Sequence, residues 1–523
     1  MSWLGHLTIA PILLPLFTGT SLLLLEERRR GLKARISVLS ALGLVGISVG
    51  LMFLTTESGD GSGWTSVYRL GDWPPPFGIV LVVDRLTALM LVLTNVIGVC
   101  ALLFASGTWD RAGAHFHTLF QLQLMGLNGA FLTGDLFNLF VFFELLLAGS
   151  YGLVLHGSEL RRVKAGLHYI AVNLLASSLF LVGVALIYSV TGTLNMADLA
   201  VRIGELSAAD RPLFEAGAAV LAVAFLVKAG MYPLCFWLPS TYAAAAAPVA
   251  AMFSVMTKVG VYVLLRLSLL GGLDASWLLW GGVATVLFGS LGALATQNLS
   301  RLAAFTVLIS SGTLLAVVGT GAAAATGGAL FYLAGSTLGI AAFFLLIELV
   351  ERGRSAGADV LAVTMEAFGD EPLEDDEPGS GVAIPATLAM LGGGFLACAL
   401  LLSGLPPLPG FLGKFAVLSG VFGKAETGEG VPLAAWVLLG ALVASGAASL
   451  IAMIRAGVRT FWSPLERSVP QVRLAEVLPV SLLLALCVAM TLGASPVMRY
   501  MERAAASLHA PAQYVERVLG GER

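Results

Sequence analysis

Four ionisable side chains sit where a chain of this composition should carry none: Glu144, Lys228, Lys258 and Lys414. Each lies inside a long apolar run. Glu144 is flanked by Phe142, Phe143, Leu145 and Leu146; Lys228 lies in FLVKAGMYPLCFWLP, Lys258 in PVAAMFSVMTKVGVYVLLR and Lys414 in SGLPPLPGFLGKFAVL. A charge at the centre of a bilayer costs about 2.5–3.5 kcal/mol on insertion scales. Such a group persists where it faces a protein interior, finds a partner or lines an ion path. Desolvation disfavours an ammonium and a nearby carboxylate restores it. A row of one glutamate and three lysines therefore predicts a proton path, with Lys228 changing protonation as Glu144 approaches or departs.

Prolines mark two of the carrying helices as broken. Pro233 and Pro239 follow Lys228, and Pro239 is expected to end that run; Pro406, Pro407 and Pro409 precede Lys414. Proline removes a backbone donor and breaks the helix, and the freed carbonyls then meet a cation, water or side chain. Broken helices at corresponding positions of two halves point to a transport site between inverted repeats. The breaks fall five spans apart, which predicts two five-helix repeats, spans 4–8 and 9–13. Further polar candidates for entry or gating are His168, Tyr242, Ser254 and Thr257, with Ser336 and Thr337 in the eleventh span. Asp84 and Arg85 are expected to pair locally, Arg85 and Arg266 to snorkel from span ends, and Glu348 to sit at an interface.

The elements that must position these residues are membrane spans. The 523 residues are 58% hydrophobic and only 12% charged, with a mean hydropathy of +0.90. Soluble domains carry roughly twice that charge, so a soluble enzyme and a disordered chain are excluded. The net charge of −3 offers no basic field for nucleic acid. Cys100, Cys235, Cys398 and Cys487 are scattered through apolar runs without paired spacing, and the six histidines form no ligand pattern. No metal, cofactor or disulfide framework is expected.

Apolar runs of about 20 residues, enough to cross a bilayer as helices, begin near residues 4, 36, 82, 114, 135, 165, 212, 243, 275, 301, 325, 383, 431 and 473. The expected fold is all-α and polytopic, with about fourteen spans, helices 7 and 12 broken. Residues 1–113 form three helices and an extracellular hairpin around Pro74–Pro76. Residues 114–271 and 272–456 form the two repeats, the second with an acidic cytoplasmic loop at 351–381. Residues 457–523 add helix 14 and a tail with amphipathic spacing that suits a membrane surface. Alternate loops hold Arg28–Arg35, Arg161, Arg162, Arg352, Arg455 and most other basic residues. The positive-inside rule then places both termini outside a cell membrane.

The segments GDLFNLFVFFELLLAGSYGL, LVKAGMYPLCFWLPSTYAAAAAPVAAMFSVMTKVGVYVLLR and SGLPPLPGFLGKF resemble the antiporter-like subunits shared by respiratory complex I and Mrp-type cation/proton antiporters. The resemblance covers roughly residues 80–460. NLLASSLFLVGVALIYSVTGTLNMADLA is most similar to the D-subunit branch of the Mrp-type Na⁺/H⁺ antiporters. It implies that Glu144 pairs with Lys228 and that Lys258 and Lys414 continue a hydrophilic axis. WLPSTY stands where complex I relatives often carry WLPDAH, which favours the Mrp branch. Gly335 and Gly339 stand where many relatives carry histidine or lysine, so Ser336, Thr337 or water must fill that level.

The resemblance implies a secondary-transport subunit that exchanges protons for Na⁺ together with other membrane subunits, in contact with lipid and without enzyme activity of its own. A proton-pumping arm subunit of a complex I-like or membrane-bound hydrogenase complex is the competing reading. A purely structural scaffold leaves the four buried charges unexplained.

Overall fold

The computed structural model describes residues 3–56, 65–271, 274–352, 386–423, 431–462 and 472–520. The acidic stretch expected at 351–381 lies almost wholly outside them. The helices run α1 (Ala10–Leu24), α2 (Arg30–Thr56), α3 (Arg85–Ala105), α4 (Phe116–Leu132), α5 (Leu136–Val154), α6 (Leu160–Thr191), α7 (Met196–Glu205), α8 (Arg211–Ala229), α9 (Trp237–Ala244) and α10 (Ala247–Gly271). They continue as α11 (Trp277–Ala295), α12 (Leu299–Thr320), α13 (Ala323–Glu351), α14 (Ala386–Ser403), α15 (Pro409–Phe422), α16 (Leu433–Gly457), α17 (Leu474–Leu492), α18 (Ala494–Leu508) and α19 (Pro511–Leu519). Twelve helices among the described residues are long and apolar enough to cross a membrane, and α1 and α15 are shorter apolar helices. The protein is an all-helical, multi-pass membrane protein apart from one small hairpin.

Burial sorts the helices into a centre and a rim. In α13 the most apolar stretch is wholly buried, and α10 and α12 follow closely. A helix that is apolar all round belongs in a core, and Lys258 of α10 reaches Ser310 and Ser311 of α12 there. By contrast α6 exposes Leu167, Leu174, Leu175, Leu181 and Val182, an apolar face suited to lipid or a partner helix.

Helix starts follow local chemistry. The carboxylate of Asp84 accepts from Thr87 N at 2.8 Å and that of Asp135 from Asn138 N at 2.9 Å, so each caps orphan donors at a helix N-terminus. Between α2 and α3, strands β1 (Ser66–Arg69) and β2 (Val80–Val83) pair antiparallel. The inner strand is buried, and Leu81 bridges to Thr133 in the α4–α5 connection.

Both broken helices stop in the same way. Gly230 and Gly404 take left-handed φ values of +73° and +76°, which glycine adopts without a Cβ penalty. Gly230 N donates to Val227 O and Met231 N to Leu226 O; Gly404 N donates to Leu401 O and Leu405 N to Leu400 O. This is the glycine-capped ending that satisfies the last carbonyls of a helix. Trp237 Nε1 also donates to Val227 O at 3.2 Å, and Tyr232 N donates to Thr285 Oγ1 at 2.9 Å. Pro409 opens α15 at its first turn, where a missing N–H costs nothing. Pro239 differs from the expectation. It does not end the run but lies in the first turn of α9, for the same reason.

The C-terminal helices pack against the protein through their apolar faces. Tyr500, Met501, Ala504, Ala505 and Leu508 turn the apolar face of α18 onto the protein. Tyr500 Oη donates to Arg85 O at 2.9 Å.

Candidate functional site

The three lysines are buried, and each meets a different environment. Lys228, in the last turn of α8, donates from Nζ to Asn173 Oδ1 on α6 at 2.8 Å. Its ammonium lies 5.5 Å from the centre of the Phe143 ring. Lys258, at the middle of α10, donates to Ser310 Oγ at 2.8 Å and Ser311 Oγ at 3.2 Å, both on α12. Ser310 Oγ is 2.9 Å from Ser336 Oγ on α13. Lys414, in α15, has a buried Nζ with no hydrogen-bond partner among the described residues. Its side chain folds back over the break: a Cβ built at Gly404 would stand 3.1 Å from Lys414 Nζ.

Glu144 is half-buried on α5, and its Oε1 is enclosed without a hydrogen-bond donor among the described residues. Lys228 forms its hydrogen bond elsewhere, and Asn173 holds the ammonium in place of the carboxylate. The sequence held no signal for Asn173, because an asparagine inside an apolar run reads equally as a packing contact.

The remaining polar candidates divide. Ser336 enters the Lys258 hydrogen-bond chain. Thr337 Oγ1 donates to Leu333 O at 2.6 Å and Thr257 Oγ1 to Ser254 O at 3.4 Å, so both satisfy their own helices. Ser254 donates to Ala251 O at 2.7 Å and approaches Thr337 O at 3.5 Å. Tyr242 Oη donates to Phe253 O at 3.1 Å within an aromatic cluster with Trp237 and Phe253. His168 is exposed beside Leu167 on the outer face of α6 and is not brought to the lysines.

Three charged groups, Arg266, Asp84 and the buried Arg85, were misplaced by reading span ends alone. Arg266 does not snorkel: it is 4% exposed and donates from Nη2 to both carboxylate oxygens of Asp84, at 2.8 and 3.0 Å. Its guanidinium also lies over the rings of Tyr262 and Tyr514. Asp84 therefore pairs across the bundle, and Arg85 donates to Thr55 O. At the opposite end, Glu348 pairs with Arg352, which also donates to the fully buried Glu476 at 2.8 Å.

The transmembrane glutamate, the three enclosed lysines and the two glycine-capped breaks lie on a fold with known relatives. The family described as NADH:quinone oxidoreductase/Mrp antiporter, transmembrane, matches residues 133–368. The chain is 55% identical to the D subunit of a probable K(+)/H(+) antiporter of Rhizobium meliloti, covering 100% of this chain and 99% of that one. It belongs to the family of antiporter D subunits. Another member, the D subunit of the Na(+)/H(+) antiporter of Alkalihalophilus pseudofirmus, is 34% identical over 99% of this chain and 100% of its own. A chain in the Mrp complex of Dietzia sp. DQ12-45-1b superposes with a TM-score of 0.84 at 27% identity, covering 99% of this chain and 100% of that one. A chain of respiratory complex I from Thermus thermophilus matches the fold at a TM-score of 0.73 and 23% identity, over 98% of this chain and 100% of that one.

Proposed function

We propose that this chain is the D subunit of a multisubunit monovalent cation/proton antiporter and carries the proton limb of exchange. The observation that carries the reading is Lys258, an ammonium-bearing side chain at the centre of the bundle with serine hydroxyls as its hydrogen-bond partners. A structural lysine gains nothing there that an apolar residue would not supply more cheaply. The path runs Glu144, Lys228, Lys258, Lys414, with Ser336 beside Lys258. A proton reaching Glu144 removes the negative charge that draws the Lys228 ammonium from Asn173. Loss of a proton from Glu144 restores it. Each lysine then acts as a site that holds or releases one proton in the membrane interior.

The identical endings of the two broken helices support the inverted repeats, spans 4–8 and 9–13. The basic residues support the orientation. Arg162, Arg352, Arg455 and Arg473 gather at one end, donating to Ala244 O, Glu476, Thr296 O and Gly107 O. That end faces the cytoplasm, and both termini lie outside. The other membrane subunits of the antiporter complete the assembly.

For the cation, identity to the K(+)/H(+) relative exceeds that to the Na(+)/H(+) relative, and K⁺ is the better substrate on that ground. The test uses everted vesicles from antiporter-deficient cells that express this chain with its partner subunits. A pH gradient is formed, K⁺ or Na⁺ is added, and its collapse is followed for wild type and Glu144→Gln. Collapse in wild type that is absent in the assembled variant supports the reading. A wild-type assembly that exchanges neither cation would move the assignment to the redox-coupled pump.

A further inference from the structure

Between Lys258 and Lys414 the central helix α13 offers no histidine or lysine. Gly335 and Gly339 instead admit Pro409 and Leu401 against its backbone; a Cβ at Gly335 would stand 3.0 Å from Pro409 Cβ. The level is filled by hydroxyls. Lys258 donates to Ser310, and Ser310 lies 2.9 Å from Ser336. Both serines line a cavity of about 10 Å³, together with Tyr332 and, from α16, Ser449. That volume accepts about one water molecule.

Two enclosed polar atoms border this region without partners among the described residues. Ser449 is 1% exposed and its Oγ makes no hydrogen bond; Lys414 is 8% exposed and its Nζ makes none either. Buried polar atoms are normally satisfied, and each exception calls for a cause. Ser449 stands three residues beyond Gly446, just under one helical turn, and a Cβ at Gly446 would be 3.9 Å from Lys414 Nζ. The face of α16 that carries Ser449 is therefore turned toward Lys414.

Resting on the proton path proposed above, we infer that Ser449 is a relay residue that joins Lys258 to Lys414 through Ser310, Ser336 and one water in the cavity. The ammonium of Lys258 gives a proton to Ser310 Oγ, and Ser310 passes its own hydroxyl proton to Ser336. Ser336 passes its proton to the water and the water to Ser449. Ser449 delivers its hydroxyl proton to the neutral amine of Lys414. Lys258 ends neutral and Lys414 charged, each hydroxyl and the water have exchanged one proton for another, and no other bond changes.

The test compares Ser449→Ala, Ser449→Val and Ser449→Thr in the assembled complex, with Glu144→Gln alongside. Cation-driven collapse of a pH gradient is read in everted vesicles, and assembly by co-purification. Alanine and valine are expected to slow exchange about 10²-fold, the lower end of the range for one proton-transfer group. Threonine, with the shape of valine and a hydroxyl, is expected to keep most of the rate. Wild-type exchange in the alanine or valine variant, with Glu144→Gln inactive, overturns the relay and leaves the path standing. Equal slowing by threonine and valine also overturns it, because space and not the hydroxyl then matters. Absence of exchange in the assembled wild type overturns relay and path together.

Discussion

Lys228 is held by Asn173, not by Glu144: the ammonium donates to the amide oxygen at 2.8 Å while Glu144 Oε1 has no donor among the described residues. Asn173 is itself fixed, since its Nδ2 donates to Tyr169 O at 2.8 Å. A neutral acceptor of fixed position can hold the ammonium without pinning it as a buried ion pair would. It sets a resting position from which a charged Glu144 can draw the lysine away.

Asn173→Ala should leave the buried ammonium without an acceptor, at a cost of about 1–3 kcal/mol. The same substitution made beside Lys228→Met should cost much less, because no charge is then stranded. Thermal unfolding of the purified complex, run as a double-mutant cycle, measures the coupling. Equal losses in both backgrounds would reduce Asn173 to a packing residue.

Glu144→Gln, Lys228→Ala and Lys414→Ala should each remove most cation-driven proton exchange while the complex still assembles. Loss of one proton-transfer group is expected to slow exchange by at least about 10². The vesicle assay checks this, with co-purification of partner subunits as the assembly control. Unchanged exchange in any variant would take that residue off the path.

Arg266→Ala should destabilise the protein more than any of the preceding substitutions. It strands Asp84, which the guanidinium contacts through both carboxylate oxygens. Breaking one partner of a buried pair costs about 3–5 kcal/mol. Asp84→Asn combined with Arg266→Met should recover much of it. Tm values of the purified complex give the comparison, and no recovery in the double variant would show that the pair is not the source of the loss.

His156 lies just beyond α5 and is held below the ordinary histidine pKa of 6.5. Burial is the main cause, opposed by the Trp109 carbonyl that accepts from Nε2 at 2.9 Å. Arg162 and His117 add to the lowering and Asp110 counters it. Because the fold prefers the neutral ring, this stability is complete above the unfolded pKa. It is lost as pH falls through the lower folded value. His156→Gln should therefore flatten the fall in Tm between about pH 7 and pH 5. Superimposable pH profiles would contradict this.

The sequence exposed the positions of the buried lysines and the two breaks because each violates a simple expectation. A charge in an apolar run and a proline beside it are one-dimensional signals. The partners were not legible. Asn173, Ser310 and Ser449 are small polar residues of the kind that often satisfy their own helix backbone, as Thr257 and Thr337 do. Only packing tells the two roles apart. Arg266 and Asp84 were misread for a related reason: they stand 182 positions apart, and position near a span end suggested snorkelling where tertiary contact supplies a partner. His168 lies on an exposed face of its helix, away from the buried lysines.

The C-terminal helices also bear on how the chain is made. Tyr500 reaches back across 415 positions to the Arg85 carbonyl and shares its hydroxyl with Thr55, and Tyr514 covers Arg266. These contacts close the end of the bundle where α3 begins and α10 finishes, two helices made long before the tail leaves the ribosome. Until Tyr514 has been made, its ring does not cover the Asp84–Arg266 pair on the growing protein. Completion of the first half is thus deferred to helices translated well after it, and a product truncated before them would carry its lesion in helices whose own sequence is intact.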